Sequence, residues 1–468
     1  MLAAIVSLGV ATAVPAPAEP DPASMPPNIL IVLTDDQTFD TLPASVGPPP
    51  MPWLQSQLDD PADHWITFTH AFLNTPLCCP SRASILTGLS SSHTGVESNT
   101  DGVDLDESST MATWLHDAGY TTALIGKYLN GFPWDRGPYV PPGWDRFVAK
   151  QNQEPSTTYY DYGLIDQGVP LHVGQTPGGY ATTRLADEAL AFVRSAPSDR
   201  PWFLMYTPPA PHAPWLPAPG DEGAFADAPV PHPSQRVLND VRGKPAWVRA
   251  LPRINADLAA QLIAERRRER ETLLAVDRAI EAITVQVQTR GELDRTLIVF
   301  LTDNGLSFGE HRWTGKRCPY EECVRTPLAI RSPWQDAGTI DDLVTNLDLA
   351  PTVMDFVESY EPVPIPAFDG ASLRPFLDEG ASPTVPRAAV LLQYAGDGEV
   401  PPWVAVRTRD FKYVEDQDGT VELYDLTGRL GRADPDELDD RSGDPRYDAI
   451  RRRLQRTLTS LLAASAPG

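Results

Sequence analysis

Four continuous apolar runs lie in the first two thirds of the chain, and polar residues follow each of them. The runs span residues 28–33, 121–125, 202–207 and 296–302. Because apolar and polar positions do not alternate within them, they predict strands buried on both faces of a parallel sheet. Such sheets bind ligands just beyond the carboxyl ends of their strands. We therefore expect the polar residues after the four runs to meet at one edge of a sheet.

Helical patterns separate these strands, and a different pattern follows near the C-terminus. The predicted helices span residues 81–88, 110–118, 181–195 and 254–285. Alternating strands and helices predict an α/β sheet covered on both faces. Short strands at residues 388–393, 403–407, 411–414 and 421–426, followed by an amphipathic helix at 447–463, predict a small α+β domain. The predicted domains are residues 28–380, which contain the parallel sheet, and residues 381–468.

The first 27 residues have the pattern of an export signal and linker. Residues 2–14 are apolar, Ala16-Pro17-Ala18 resembles a cleavage site, and a segment rich in Pro and Asp follows. No Lys or Arg precedes the apolar run, which is unusual for such a signal. No later run reaches the ~18 apolar residues that a membrane span needs. We expect export, to the cell envelope or beyond, and no membrane-embedded part.

The charge balance excludes some partners. With 38 Lys and Arg against 63 Asp and Glu, the formal net charge is −25, which argues against nucleic acid as a partner. The arginines of residues 266–270 are interleaved with Glu265, Glu269 and Glu271, a pattern that predicts a solvated helix face. The chain lacks a Walker or dinucleotide glycine motif, so no nucleotide cofactor is expected.

Two polar doublets predict a metal site. Asp35 and Asp36 follow the first apolar run, and Asp303 and Asn304 follow the fourth. Oxygen ligands alone suit a hard divalent cation such as Ca²⁺ or Mg²⁺. The alternative is that each doublet only caps a turn or a helix.

The sequence around Cys78 predicts an anion site. Pro80 and Ser81 indicate a helix start, which places Cys78 beside free backbone N–H groups that favour anions. Arg82 is one helical turn further on and can reach the same point, so the pKa of Cys78 is expected to be lowered. Cys78 is then a nucleophile or anion ligand, or alternatively a buried structural cysteine, the role expected for Cys79.

Residues 78–88, Cys-Cys-Pro-Ser-Arg-Ala-Ser-Ile-Leu-Thr-Gly, resemble the signature of the type I sulfatases. Other motifs of that family follow in its order: Asp35-Asp36, Gly126-Lys127, His212 in Pro-His-Ala-Pro, Asp303-Asn304 and Gly315-Lys316. The match extends from Asn28 to about Leu377, and residues 422–426 resemble the C-terminal family signature. Residues 126–130, 77–82 and 141–144 resemble the N-acetylglucosamine-6-sulfatase branch.

The resemblance implies an alkaline-phosphatase-like α/β/α sandwich and a hydrolase of sulfate esters. A separate maturation enzyme would oxidise Cys78 to formylglycine, whose hydrate attacks sulfur. Asp35, Asp36, Asp303 and Asn304, together with the modified Cys78, would hold the metal. The resemblance further implies that Arg82, Lys127 and Lys316 stabilise negative charge and that His212 protonates the leaving oxygen. The substrate would be a sulfated sugar or an aryl sulfate.

Three points remain open in the sequence. Leu129 stands where most sulfatases have a histidine; Asn130 beside it and His311 after the second metal doublet are candidate substrate ligands. Cys318 and Cys323 either form a local disulfide or remain thiols. The alternatives to a sulfatase are a phosphate or phosphonate ester hydrolase of the same fold and a non-catalytic protein that binds sulfated glycans.

Overall fold

The computed structural model describes residues 25–151, 157–358, 366–381 and 386–465. The predicted export signal, residues 2–18, lies outside these ranges. The described strands are β1 (Asn28–Thr34), β2 (Trp65–Phe72), β3 (Thr121–Gly126), β4 (Arg146–Lys150), β5 (Tyr162–Asp166), β6 (Val169–Val173), β7 (Trp202–Thr207), β8 (Thr296–Thr302), β9 (Ser307–Phe308), β10 (Thr314–Gly315), β11 (Leu328–Arg331), β12 (Gly338–Thr345), β13 (Val390–Tyr394), β14 (Trp403–Arg407), β15 (Phe411–Asp416) and β16 (Val421–Asp425). The α-helices are α1 (Pro52–Asp59), α2 (Cys78–Thr87), α3 (Ser91–Thr94), α4 (Met111–Asp117), α5 (Ala181–Ser195), α6 (Gln235–Asn239), α7 (Ala246–Arg249), α8 (Ala256–Thr289), α9 (Glu321–Val324), α10 (Leu349–Glu358), α11 (Arg374–Leu377) and α12 (Asp448–Ala464).

The four predicted apolar strands form the centre of a ten-stranded sheet. Its strand order is β12-β2-β11-β8-β1-β7-β3-β4-β5-β6. Strands β8, β1, β7, β3 and β4 are parallel to their neighbours in this central part, whereas β11, β5 and β6 pair antiparallel. The prediction of a mostly parallel α/β sheet is confirmed, and the carboxyl ends of the four strands meet at one edge.

Strand β1 shows why the run is continuously apolar. Ile29, Ile31 and Leu33 pack into a core with residues of α2, α4 and α10 on one face. Leu30 and Val32 pack into a second core with residues of α1, α5 and α8 on the other face. Since successive side chains of a strand point to opposite faces, both sets must be apolar. Each fully buried Leu, Ile or Val side chain contributes about 1.5–3 kcal/mol, which fixes the sandwich.

A separate antiparallel sheet of four strands, in the order β13-β14-β15-β16, follows in the C-terminal part. Helix α12 packs on one face of this sheet through Leu454 and Leu458. Val390, Leu392 and Tyr424 belong to a core that also includes Cys318 and Cys323. The predicted small α+β unit is confirmed in its elements, whereas the domain limits at residues 380 and 381 stay a prediction.

The expectation that residues 266–270 form a solvated helix face is wrong for three of them. Arg266, Glu269 and Arg270 of α8 are buried. Arg266 pairs with Asp40, and Glu269 accepts hydrogen bonds from the backbone and hydroxyl of Thr38. Helix α8 thus anchors the loop that follows β1, a long-range contact that a local charge pattern does not reveal.

No helix among the described residues is long and apolar enough to cross a membrane.

Candidate active site

Polar residues collect at the carboxyl edge of the central strands, as the pattern predicted. Asp35 and Asp36 follow β1, Lys127 follows β3, and Asp303 follows β8. Backbone hydrogen bonds extend the sheet into these segments: Asp303 N donates to Thr34 O over 3.1 Å and Lys127 N donates to Thr207 O over 2.8 Å. The side chains are therefore positioned by the rigid sheet.

Three carboxylates and the Cys78 thiol form the centre of the site. One ligand atom from each of Asp35, Asp36, Cys78 and Asp303 lies within 4.8 Å of the others. Asp36 has a φ of 63°, so its backbone is not extended. The side chains of Asp35 and Asp36 are therefore not held on opposite faces, as they would be in a strand. Asn304 Nδ2 donates to Asp36 Oδ1 over 2.7 Å. All four side chains that sequence reasoning assigned to a metal, together with Cys78, are brought together.

Each carboxylate is matched by a cation. Lys127 Nζ lies 2.7 Å from Asp35 Oδ2, Arg82 Nε lies 2.8 Å from Asp303 Oδ2, and Lys316 Nζ lies 2.6 Å from Asp36 Oδ1. Burial alone would raise the pKa of Asp35, but Lys127, with His212 and Arg82, lowers it to about 2. Despite burial, the pKa of Asp36 is lowered as well, chiefly by Lys316, so Asp35 and Asp36 are ionised at neutral pH.

Cys78 occupies the first turn of α2. The helix begins at Cys78, three residues before the predicted start at Ser81, and Leu77 caps it in an extended conformation. Lys316 Nζ lies 2.7 Å from Cys78 Sγ, and the nearest oxygens of Asp35 and Asp36 lie 3.8 and 3.9 Å away.

The expectation of a lowered pKa for Cys78 is wrong. Burial raises the pKa of the thiol to about 12 and outweighs the opposing influence of Lys127 and Lys316. The sequence pattern pointed to a helix N-terminus and a nearby arginine, but it did not show how completely the fold buries the sulfur. An unmodified Cys78 is consequently protonated, and therefore weakly nucleophilic, at neutral pH.

Arg82 connects two parts of the site. Its side chain is buried, and Nη1 donates to Lys127 O over 2.8 Å. Arg82 thus fixes both the Asp303 carboxylate and the backbone that carries Lys127.

His212 reaches the cluster from the loop after β7. Its Nε2 lies 3.4 Å from Asp36 Oδ2, while Nδ1 lies 2.7 Å from Ala213 O. The carbonyl can only accept, so Nδ1 carries a proton and Nε2 faces the site.

Lys316 follows the β9–β10 hairpin, and a disulfide secures the chain just beyond it. Trp313 Nε1 donates to Lys316 O over 2.9 Å. Cys318 and Cys323 form the disulfide, with Cα atoms 5.7 Å apart. The question left open by the sequence is settled in favour of the bridge.

A cavity of about 800 Å³ opens above Asp36 and Lys316. This size falls in the range of pockets for small ligands. Sequence reasoning missed the residues of its walls, which come from five separate segments: Ser98, Asn99, Thr100, Trp215, Gln261, Glu265, Phe308, Arg317, Tyr394 and Asp397. No motif marks them, because the fold alone brings these segments together.

Two candidate substrate ligands do not join the cluster. His311 is fully buried, with its ring centroid 4.3 Å from that of Tyr320. The carbonyl of Asn130 accepts a hydrogen bond from Trp134 Nε1 over 3.0 Å. Among the described residues, neither Asn130 nor His311 lines the cavity. Leu129 belongs to the apolar core. A substrate-binding role for Asn130 or His311 stays a prediction.

Comparison with known proteins decides the family. A family profile described as Sulfatase matches residues 27–359, which is most of the chain. The chain belongs to the sulfatase family. A second profile, described as N-sulphoglucosamine sulphohydrolase, C-terminal, matches residues 309–464. The resemblance seen in the motifs is confirmed, and the protein is a sulfuric ester hydrolase by family.

Relatives in the sulfatase family match nearly the whole chain. An N-acetylglucosamine-6-O-sulfatase of Bacteroides thetaiotaomicron is 30% identical, over 92% of this chain and 85% of its own. The N-acetylglucosamine-6-sulfatase of Homo sapiens is 32% identical, over 88% of this chain and 80% of its own.

Solved structures confirm the sulfatase fold. One, determined in complex with its substrate D-glucosamine-2-N,6-O-disulfate, has a TM-score of 0.79 and 27% identity, and covers 94% of this chain and 98% of the other. A phosphonate monoester hydrolase of Agrobacterium radiobacter has a TM-score of 0.72 and 23% identity, with 94% and 96% coverage. The second likeness concerns the fold alone.

Proposed function

We propose that this sulfatase removes the 6-sulfate from glucosamine-type sugars such as N-acetylglucosamine 6-sulfate. The observation that carries the proposal is the Cys78–Lys316 pair, 2.7 Å apart, whose lysine lines a cavity of about 800 Å³ in a chain whose relatives over most of its length include N-acetylglucosamine-6-sulfatases. The substrate of the structural neighbour, a glucosamine with a 6-O-sulfate, supports the same class. An aryl sulfate is the simpler model substrate.

The donor set suits a hard divalent cation, with Ca²⁺ preferred and Mg²⁺ second. Asp35, Asp36 and Asp303 offer carboxylate oxygens, and Asn304 Oδ1 is buried without a hydrogen-bond partner among the described residues. A buried, unpaired amide oxygen beside three carboxylates is the arrangement that a cation would satisfy. When bound, the cation supplies positive charge to the sulfuryl oxygens. These four side chains, with the modified Cys78, would hold it.

Conversion of Cys78 to formylglycine by a separate maturation enzyme is part of the proposal. The raised pKa of Cys78 supports it, because a protonated thiol would not attack sulfur at neutral pH. The hydrated aldehyde supplies one hydroxyl that attacks and a second whose deprotonation releases the sulfate.

Lys127, Lys316 and His212 then stabilise the negative charge and supply the proton. Lys316 and Lys127 stand on either side of the carboxylates and can donate to the sulfuryl oxygens as negative charge develops. His212 protonates the departing sugar oxygen from Nε2. Because its Nδ1 already donates to Ala213 O, His212 acts as an acid only when Nε2, 3.4 Å from Asp36 Oδ2, also carries a proton.

The test compares four substrates: N-acetylglucosamine 6-sulfate, glucosamine 2-N,6-O-disulfate, an aryl sulfate and an aryl phosphonate monoester. We expect the wild type to release sulfate from both sugar sulfates, and also from the aryl sulfate if it accepts this simpler model. Cys78→Ala should keep the fold but release no sulfate. Faster turnover of the phosphonate than of every sulfate would favour the phosphonate hydrolase alternative. Turnover by Cys78→Ala above background would refute the role of Cys78.

We further propose that the protein is exported. The Cys318–Cys323 disulfide is typical of oxidising compartments, and one relative is an extracellular sulfatase homologue of Drosophila melanogaster. Cell fractionation of the native host tests this, and recovery of the protein only in the cytosol would contradict it.

A further inference from the structure

A second group of metal-type ligands lies outside the catalytic cluster. His311, Glu322 of α9 and Glu437 each place one ligand atom within 4.8 Å of the others. The group joins the β9–β10 hairpin, which contains His311, and helix α9 to the loop after β16. Glu437 already contacts α9, since its Oε2 accepts from Glu321 N over 2.8 Å.

The imidazole of His311 points to a missing ligand. The side chain is 0% exposed, and neither ring nitrogen has a hydrogen-bond partner among the described residues. A buried polar group left unpaired costs about 1–3 kcal/mol, so native proteins rarely tolerate one without a bound water or ion. Glu322 Oε2 is likewise buried and without a hydrogen-bond partner in the described part of the chain.

The surrounding charges leave room for a cation. Lys412 Nζ lies 2.7 Å from Glu437 Oε1 and also 2.7 Å from Glu321 Oε1, so it does not depend on Glu437 alone. Lys244 Nζ lies over the Tyr320 ring, 3.7 Å from its centroid, and 3.7 Å from Glu422 Oε2. The charged groups packed here are Glu310, Glu321, Glu322, Glu422 and Glu437 against Lys244, Lys412, Arg325 and Arg407. The carboxylates outnumber the cations by one.

One of the three ligands, Glu322, also lines a cavity. Glu322 and Glu310 line a cavity of about 450 Å³ that also borders on Asp40 and Asp436. Asp36 and Lys316 line the catalytic cavity instead, so Glu322 borders a different cavity.

We propose that His311, Glu322 and Glu437 form a second metal site, which takes a zinc-class dication. One imidazole nitrogen and two carboxylates suit Zn²⁺, whereas Ca²⁺ prefers oxygen ligands alone. A water from the cavity beside Glu322 would complete four-coordination. The ion would tie the segment that carries Lys316 to the small C-terminal sheet, which is a structural role independent of the substrate proposed above.

The experiment titrates Zn²⁺ into the full-length, metal-stripped protein in the presence of excess Ca²⁺, and counts bound zinc by elemental analysis. The wild type is compared with Glu322→Gln and with Asp436→Asn, a control carboxylate that lines the same cavity. We expect Glu322→Gln to bind this zinc at least about tenfold more weakly. Removing a group that only supports a metal ligand already costs about 10–100-fold in affinity, so removing a ligand should cost no less. Asp436→Asn should bind like the wild type.

A second variant and a Co²⁺ spectrum distinguish the loss of a ligand from misfolding. His311→Gln should lose the same zinc, and Co²⁺ bound to the wild type should show the visible bands of a four-coordinate site that both variants lack. Equal zinc binding by wild type and Glu322→Gln would overturn the proposal. Absence of any zinc that competes with Ca²⁺ would overturn it too.

Discussion

Removal of the Lys316 ammonium group should separate the chemistry from the fold. Lys316→Met keeps the length of the side chain but removes the donor that lies 2.7 Å from Cys78 Sγ. An oxygen bonded near the position of that sulfur is therefore within reach of Nζ. Loss of one preorganised donor to a developing oxyanion costs about 10²–10³ in kcat, or about 2.7–4 kcal/mol.

The same change affects stability, and this effect has to be measured separately. Lys316 is the 2.6 Å partner of Asp36, and breaking a buried ion pair by removing one side costs about 3–5 kcal/mol. Asp36 keeps the hydrogen bond from Asn304 Nδ2, so we expect the lower end of this range. Lys316→Arg keeps the positive charge and should recover most of the stability.

The assay measures kcat and KM on an aryl sulfate and on N-acetylglucosamine 6-sulfate, with thermal unfolding recorded on the same samples. We expect Lys316→Met to lose about 10²–10³ in kcat. Lys316→Arg should unfold at a temperature close to that of the wild type, but its kcat should stay low, because a planar guanidinium cannot replace a compact ammonium. A folded Lys316→Met with kcat within about fivefold of the wild type, against the loss expected for such a donor, would refute the reasoning.

Three further predictions follow from other parts of the molecule. Exhaustive chelation should abolish hydrolysis, and Ca²⁺ or Mg²⁺ should restore it; full activity in chelator would contradict the role of the Asp35 cluster. Burial raises the pKa of Asp416 from 3.8 to about 7, so the folded state holds the proton more tightly and stability should fall as the pH rises from about 4 through 7, by at most about 4 kcal/mol. Asp416→Asn should flatten this slope in denaturant melts, and an unchanged slope would show that another group causes it. Replacing Cys318 and Cys323 by Ser opens a short loop and should lower the free energy of unfolding by about 2 kcal/mol, with lower activity because Lys316 is adjacent; an unchanged midpoint would refute this.

The sheet and the charged cluster were predictable because both follow from short-range patterns. Continuous apolar runs identified β1, β3, β7 and β8, and parallel strands necessarily bring their carboxyl ends together. Since Asp35, Lys127 and Asp303 directly follow three of these strands, the sequence alone predicts that they lie at one edge.

Burial and cavity shape were not predictable, because they depend on segments far apart in the chain. The pKa of Cys78 was misjudged because its local helix position favours the thiolate, whereas the surrounding fold removes water from the sulfur. Arg266 resembled a surface arginine until its partner Asp40, in the loop after β1, was known. Trp215 and Asp397 reach the same cavity from different parts of the chain, and no spacing in the sequence connects them.

The mass of the peptide that contains Cys78, from protein made in its native host, tests the central claim most directly. The account predicts the mass of an aldehyde or its hydrate in place of the thiol, because burial raises the pKa of the Cys78 thiol and leaves it weakly nucleophilic at neutral pH. An unmodified thiol throughout an active preparation would contradict it.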